Sequence, residues 1–144
     1  MTVTDWMWRT AAISATLAVV LAPSAGATPS DKTHGVTLSQ TTGEGRDYFL
    51  REITIEPGGS TGWHWHGGTV FGVVRQGTLT HNRADCSLDG IYGPGDPMTE
   101  PGGPEHAHIG RNLGSTPVVL EAVYLLPIDA PFFEDAPDPG CGYA

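Results

Sequence analysis

Basic side chains are scarce in this sequence. Lys and Arg number 7 against 16 Asp and Glu, and the formal net charge is −9 at pH 7. A protein that binds nucleic acid needs a cluster of Lys and Arg to contact phosphates, and the sequence has no such cluster. This absence excludes nucleic acid as an expected partner, and the scattered acidic residues indicate a solubilising surface.

Long apolar runs are lacking as well. The apolar stretch near the N-terminus, Ala11–Ala22, is shorter than the ~20 residues that a membrane-spanning helix needs. Small residues at Ala25 and Ala27 follow it, which is the pattern of a signal-peptide cleavage site. We therefore predict a secretory signal peptide over residues 1–27, cleavage near Ala27, and an extracellular protein without a stable membrane anchor.

The first residues fit a signal peptide less well. Asp5 offsets Arg9 in a region that is normally positive. A true translation start at Met7 would remove the acidic residue. The alternative, an uncleaved membrane anchor, is disfavoured by the short apolar run.

Cysteine occurs only twice, at Cys86 and Cys141. In an exported protein two cysteines are expected to form one disulfide, and two unpaired buried thiols are the alternative. A Cys86–Cys141 bridge would hold the Pro- and Gly-rich tail, residues 129–144, against the rest of the domain. Closing a loop of that length stabilises the folded state by roughly 4 kcal/mol in the chain-entropy model.

Glycine and proline are abundant. The 144 residues include 20 Gly and 12 Pro, scattered among β-branched residues without a repeat. The length suits one domain, and the pattern predicts an all-β sandwich or small barrel of short strands joined by tight turns. The last predicted strand is the most apolar and is expected to be central and packed on both faces. The predicted strands are Arg46–Pro57, Gly62–His66, Val70–Arg75, Thr78–Asn82, Ile91–Tyr92, His106–Asn112 and Val118–Leu126.

Two histidines stand one residue apart in the segment TGWHWHGG, residues 61–68. Because side chains alternate along a strand, His64 and His66 would share one face, and Trp63 and Trp65 the other. Two imidazoles inside a narrow barrel are costly unless a group such as a divalent cation uses their lone pairs. The alternative is a surface strand that carries two exposed histidines.

A second pair, His106 and His108, lies in the segment EHAHIGRN. Metal sites gather histidines from several strands, so two such pairs in a chain with 6 histidines favour a metal site. Neutral imidazole nitrogen suits Zn, Fe, Cu and Ni.

These segments resemble the two motifs of a small single-domain cupin of the metal-binding type-2 group. The first motif has a glycine, five residues, H-x-H and a later glycine, which match Gly58, His64, His66 and Gly77. The second has a glycine, five residues and P-x-G, which match Gly95, Pro101 and Gly103. The resemblance covers roughly residues 49–127 and implies a double-stranded antiparallel β-barrel of the jelly-roll type, with a divalent transition metal (Fe, Mn, Zn, Ni or Cu) inside it.

The sequence departs from the cupin motifs at two points. The family's glutamate ligand falls on Val70 or Phe71, neither of which binds metal. In the second motif the strict spacing selects His106, whereas counting back from Asn112 selects His108. We favour His108, with His106 as an alternative or a fourth ligand.

The resemblance therefore implies a metal held by His64, His66 and His108. Three neutral histidines leave the ion its full 2+ charge and at least one open position, which favours Lewis-acid or dioxygen chemistry. Some thiol dioxygenases of the cupin family use three-histidine iron in this way, although no residue here selects a thiol.

The remaining candidates have weaker support. His81 is predicted to be an exposed residue at the rim of a hairpin. Arg111 is predicted to be a surface residue, and the alternative is that it orients a carboxylate. Glu100 and Glu105 lie in the predicted loop of the second motif, where Glu105 is the candidate for the missing carboxylate. The sequence shows no Ser or Cys nucleophile with a base at a recognisable spacing.

Two functions remain open at this point. One is a secreted metalloenzyme that acts on a small molecule as an oxygenase, isomerase or decarboxylase; the other is a non-catalytic module that binds a metal or small ligand. The expected organisation is a signal peptide (1–27), an N-terminal extension (28–45), the cupin barrel (46–128) and the tail (129–144). Pairing of two copies through sheet edges is common among cupins, so a homodimer is an expected partner arrangement.

Overall fold

The computed structural model describes residues 26–143, so the predicted signal peptide lies outside the described residues apart from Gly26 and Ala27. The all-β prediction is confirmed, since the regular elements of these described residues are strands and one short 3₁₀ helix, Pro104–His106. The strands are β1 Asp31–Gly43, β2 Arg46–Ser60, β3 His64–Trp65, β4 Thr69–Gln76, β5 Leu79–Arg83, β6 Leu88–Tyr92, β7 Pro97–Glu100, β8 His108–Arg111, β9 Val118–Pro127 and β10 Glu134–Asp135. Within residues 26–143, no helix has the length and apolar character needed to cross a membrane.

All strand pairs are antiparallel, and they form two groups that enclose one interior. Strands β1, β2, β9, β4 and β7 lie side by side in that order, while β10, β3, β8, β5 and β6 form the second group. The two groups are joined where Ser60, at the end of β2, pairs with Arg111 at the end of β8. This is the barrel architecture that the motifs predicted.

Strand β9 is central, because β2 pairs with one of its edges and β4 with the other. Its residues alternate between buried and partly exposed, and the buried ones are Val118, Leu120, Ala122, Tyr124 and Leu126. The prediction that both faces are packed is therefore wrong: the period of two turns one face into the barrel and leaves residues such as Val123, 39% exposed, on the other.

The segment predicted as an N-terminal extension contains a strand. Strand β1 pairs with β2 from Asp31 to Gly43, and the connection at Glu44 and Gly45 has positive φ angles, as tight hairpins require. Most of β1 is exposed. It therefore extends the first group of strands and leaves its own outer edge unpaired among the described residues.

The tail lies against the second group of strands. Cys86 and Cys141 are joined by a disulfide, and the Ala136 amide donates a hydrogen bond to the Trp63 carbonyl oxygen at 2.8 Å. The Trp63 side chain is fully buried, and its ring stacks on Tyr143 with 6.2 Å between ring centroids. The tail thus covers the tryptophan that alternates with the two inward-facing histidines.

Candidate metal centre

The histidine pair of β3 points into the barrel. His64 is 7% exposed and His66 is 1% exposed, whereas Trp63 is buried on the opposite side beneath the tail. His64 pairs directly with His108 across β3 and β8, which brings their ring centroids to 4.4 Å. One ring nitrogen from each of His64, His66 and His108 lies within 4.8 Å of the other two, so the structure brings the predicted ligand set together.

His106 lies outside this group. It ends the 3₁₀ helix before β8, its side chain is 45% exposed, and its Nε2 atom is 3.7 Å from Glu105 Oε1. The suggestion that His106 is an alternative or fourth ligand is corrected: the helical turn breaks the alternation that would have placed His106 and His108 on one face. Counting back from Asn112 finds the inward histidine because Asn112 is fixed in the core, donating from Nδ2 to the Ile55 carbonyl oxygen at 2.8 Å.

His81 is buried, which contradicts the prediction of an exposed rim residue. It is 4% exposed, and its ring centroid is 4.8 Å from that of His108. On β5 it has the same parity as Leu79, which is 1% exposed, so strand alternation turns both side chains inward. The two-residue spacing between Leu79 and His81 is the feature of the sequence that indicates an inward-facing His81.

Glu100 supplies a carboxylate to the same cluster. It ends β7, directly across the ladder from Val70, one of the two positions on which the family's glutamate falls. Its Oε2 atom is 3.0 Å from His66 Nε2, and its Oε1 atom is 3.3 Å from His81 Nε2 and 3.5 Å from His108 Nε2. The carboxylate was predicted to be missing from β4, and the neighbouring strand provides one.

Glu105 and Arg111 do not reach the cluster. The Glu105 side chain is 68% exposed and contacts His106, so the suggestion that it replaces the missing carboxylate is corrected in favour of Glu100. Arg111 donates to Asn82 Oδ1 at 2.8 Å and lies 3.9 Å from the Tyr143 ring centroid. Arg111 therefore has a structural role beside the tail.

Backbone carbonyls fix the orientation of the three predicted ligand rings. A carbonyl oxygen only accepts hydrogen bonds, so each Nδ1 must carry the proton, and a neutral ring then has its lone pair on Nε2. Histidine ligands commonly have this arrangement, with the far nitrogen held by an acceptor. The Nδ1 donors and acceptors are His64 to Gly62 at 3.0 Å, His66 to Phe132 at 2.7 Å and His108 to His106 at 2.8 Å.

This orientation leaves acceptors facing one another around Glu100. The Nε2 atom of His66 can donate to Glu100 only if its ring carries a second proton, and the Nε2 atoms of His81 and His108 are buried without a hydrogen-bond partner. Lone pairs and a carboxylate at such distances need a cation between them. A divalent transition metal satisfies these nitrogen and oxygen donors, so the residues present fit the implied group.

The charges favour ligand-competent protonation states. Burial, together with the neighbouring His108 and His66, lowers the pKa of His64 to about 3. Burial also lowers the pKa of His108. Although burial alone would raise it, the surrounding histidines hold the pKa of Glu100 well below its usual range. Neutral imidazoles beside an ionised carboxylate are the states that bind a metal ion.

The pKa of His81 is shifted in the opposite direction from those of His64 and His108. Burial lowers its pKa, but the carboxylates of Glu100 and Asp89 outweigh burial and raise the pKa above its ordinary value. Its Nδ1 atom is 3.0 Å from Asp89 Oδ2. His81 is therefore held between two carboxylates at the edge of the cluster.

We expect the metal-free protein to lose stability in acid through His64. Between the ordinary pKa of 6.5 and the folded value of about 3, the unfolded chain binds a proton at this residue and the folded chain does not. The free energy of unfolding should therefore decrease as the pH is lowered, by up to about 1.4 kcal/mol per pH unit from this one group. Urea unfolding from pH 6.5 to 4.5 should show a shallower decline for His64→Gln, and parallel curves for the two proteins would contradict the shift.

A small cavity of about 50 Å³ lies within the cluster, and its lining includes His66, His81, Glu100 and Tyr124. Two larger cavities also reach the cluster, and they share no lining residue with each other. One has a volume of about 470 Å³ and is called the acidic cavity here, because its lining includes Asp85, Asp89, Glu100 and Glu105, together with His81 and His108. The other has a volume of about 190 Å³ and is called the arginine cavity, because Arg51 is the only Lys, Arg, Asp or Glu in a lining that includes His64 and His66. The cluster is thus accessible to ions and small molecules.

The geometry can be compared with that of known proteins. A family model described as the cupin domain matches residues 51–125. The chain belongs to the cupin family. None of the curated proteins compared with this cupin matches it.

Solved structures share its fold. The polyketide cyclase RemF from Streptomyces resistomycificus is 24% identical, covering 78% of this chain and 79% of its own, with a TM-score of 0.60. Rru_A2000 from Rhodospirillum rubrum, a cupin-2 domain, is 16% identical, covering 74% and 66%, with a TM-score of 0.58. A recombinant oxalate oxidase in complex with glycolate is 20% identical, covering 64% and 50%, with a TM-score of 0.54. At these identities the likeness shows the fold alone.

Proposed function

We propose that this cupin binds one divalent transition metal ion through His64, His66 and His108, with Glu100 as an additional ligand. The observation that carries the proposal is that one ring nitrogen from each of the buried His64, His66 and His108 lies within 4.8 Å of the other two. The Glu100 carboxylate lies 3.0 Å from His66 Nε2 and 3.5 Å from His108 Nε2. Fe, Mn, Zn, Ni and Cu all accept such a mixture of imidazole and carboxylate. The carboxylate reduces the net charge of the centre below the full 2+ of a three-histidine site, which weakens the analogy with three-histidine thiol dioxygenases.

We propose further that the centre acts on a small molecule, with chemistry of the oxygenase, isomerase or decarboxylase type. When bound, the metal supplies a Lewis acid with an open position for a ligand. The chain itself orients the donors through backbone carbonyls, holds the histidines inside the barrel, and leaves cavities through which molecules reach them. Two proteins with similar structures, a polyketide cyclase and an oxalate oxidase, support a small-molecule substrate.

Metal content and turnover together test this proposal. The protein should be purified without added metal, its metals quantified by mass spectrometry, and the metal-free form titrated with Zn²⁺ and, without oxygen, with Fe²⁺. We expect about one ion per chain. Dioxygen uptake or product formation with small organic acids would support the enzyme, whereas full metal loading without turnover favours the non-catalytic module. A chain that binds no metal would contradict both.

We also propose that the protein is exported and forms a homodimer. The predicted signal peptide and the Cys86–Cys141 bridge support export, because disulfides persist in oxidising compartments. Strand β1 supports the dimer: it is exposed along most of its length and pairs only with β2 among the described residues. An unpaired edge of this kind is a common site of pairing between two chains.

A further inference from the structure

Arg51 is a partly buried cation without a counterion. Among residues 26–143 it takes part in no ion pair, and its Nε atom is buried with no hydrogen-bond partner. Leaving a charged donor buried and unpaired costs free energy that a bound anion would recover. The position of Arg51 therefore requires an explanation beyond packing.

The surroundings of Arg51 fix its guanidinium in place. The guanidinium carbon lies 3.7 Å from the Phe132 ring centroid and 5.7 Å from that of Tyr124. These contacts hold the group by cation–π attraction without neutralising its charge. On the facing strand β1, a Cβ atom at Gly35 would stand only 2.6 Å from Arg51 Nη2, so a side chain there would displace the arginine.

The arginine cavity connects this cation with the histidine cluster. Arg51, His64, His66 and Tyr124 all line it. The Tyr124 ring is close to both features, since its centroid is 5.6 Å from the His66 ring centroid and 5.7 Å from the Arg51 guanidinium carbon. A molecule in the cavity can therefore contact Arg51 at one end and the histidine cluster at the other.

The lining indicates which chemistry the cavity accepts. A guanidinium offers a planar pair of donors that matches a carboxylate. One positive charge suits a monoanion, while Ile53 and Phe133 provide apolar and aromatic walls for an organic body. We propose that the arginine cavity binds a small organic acid, with its carboxylate on Arg51 and its body directed toward the histidine cluster. The second half of this proposal rests on the proposed metal function.

Binding of benzoate to the metal-free protein tests the carboxylate site separately from the metal. Isothermal titration should show benzoate binding that weakens about ten-fold or more in Arg51→Gln, because a charge-assisted pair is lost. Neutral benzamide should bind weakly to both proteins. The matched control is Arg75→Gln, which removes an exposed arginine that pairs with Glu121 on the outer surface, and it should bind benzoate like the wild type.

Further variants guard against loss of fold and against other anions. Arg51→Lys keeps the charge but loses the planar pair of donors, so its benzoate affinity should fall between those of the wild type and Arg51→Gln. The circular dichroism and metal stoichiometry of each variant should match the wild type. Equal benzoate affinity in wild type and Arg51→Gln would overturn the proposal, as would inorganic phosphate competing as well as benzoate, or no benzoate binding up to about 10 mM.

The metal-loaded protein tests where the body of the acid points. Benzoate should bind more tightly to the loaded than to the metal-free wild type and should alter the absorption spectrum of a Co²⁺-substituted site. If the protein binds benzoate through Arg51 but takes up no metal, the metal function fails and the carboxylate site stands. If the protein takes up metal but Arg51→Gln binds benzoate like the wild type, the carboxylate site fails and the metal function stands.

Discussion

His108→Ala is expected to abolish tight metal binding, whereas His106→Ala should leave it unchanged. His108 faces His64 across the β3–β8 ladder. It contributes a buried nitrogen to the group with His64 and His66 and also to a second group with His81 and Glu100. The His106 side chain is 45% exposed on a helical turn and pairs with Glu105. Loss of His108 removes a ligand from the centre of the site. The His106 side chain lies outside the site and cannot replace it.

The measurement is metal stoichiometry after dialysis, with Zn²⁺ affinity from competition with a chromophoric chelator. Wild type and His106→Ala should each retain about one ion, and His108→Ala close to none. Glu100→Gln should retain the ion with affinity reduced by about 10- to 100-fold, because the carboxylate supplies charge as well as a donor atom. Full metal occupancy in a His64→Ala, His66→Ala double variant would show that the segment TGWHWHGG is only a strand with two histidines.

The second large effect concerns the disulfide. The Cys86→Ser, Cys141→Ser double variant is expected to lose about 4 kcal/mol of unfolding free energy, because the bridge closes a loop with a sequence separation of 55. The tail should loosen at the same time, since its contacts with Trp63 depend on Ala136 and Tyr143 staying in place.

Urea unfolding of the two proteins, with and without reductant, measures this loss. The reduced wild type should unfold at nearly the same urea concentration as the double variant, and Trp fluorescence should report exposure of Trp63. A Cys86→Ser single variant leaves one free thiol and provides a control for dimer formation through Cys141. Two alkylated cysteines in protein that was never exposed to reductant would contradict the bridge.

The sequence predicts the barrel because its strand pattern and its motif spacing indicate the same fold. Short strands between turn residues indicate an all-β domain, and the spacing of Gly58, His64 and His66 in one motif, followed by Gly95 and Pro101 in the next, resembles the cupin order. The structure places His64 and His66 inside because strand alternation leaves them no other face once Trp63 is buried. Local periodicity is thus sufficient for these residues.

Periodicity is insufficient where the ligand comes from a neighbouring strand. Glu100 ends a four-residue strand bounded by Pro97 and Pro101, and prolines at both ends are typical of a loop. Only the β4–β7 register, which sets Glu100 opposite Val70, reveals that its carboxylate enters the barrel. Cross-strand register is a tertiary property, so a motif counted along one strand cannot contain it.

The acidic cavity and the arginine cavity give a metal ion and an organic acid separate routes to the histidine cluster. Four carboxylates in the acidic cavity attract cations, while the arginine cavity attracts anions. No residue lines both of these cavities, and they meet only at the small cavity within the histidine cluster. A metal ion and an organic acid would therefore approach the cluster from different sides. An acid bound to Arg51 would leave the metal ion accessible to a chelator from the acidic cavity. The protein would therefore exchange its metal ion while the organic acid stays bound.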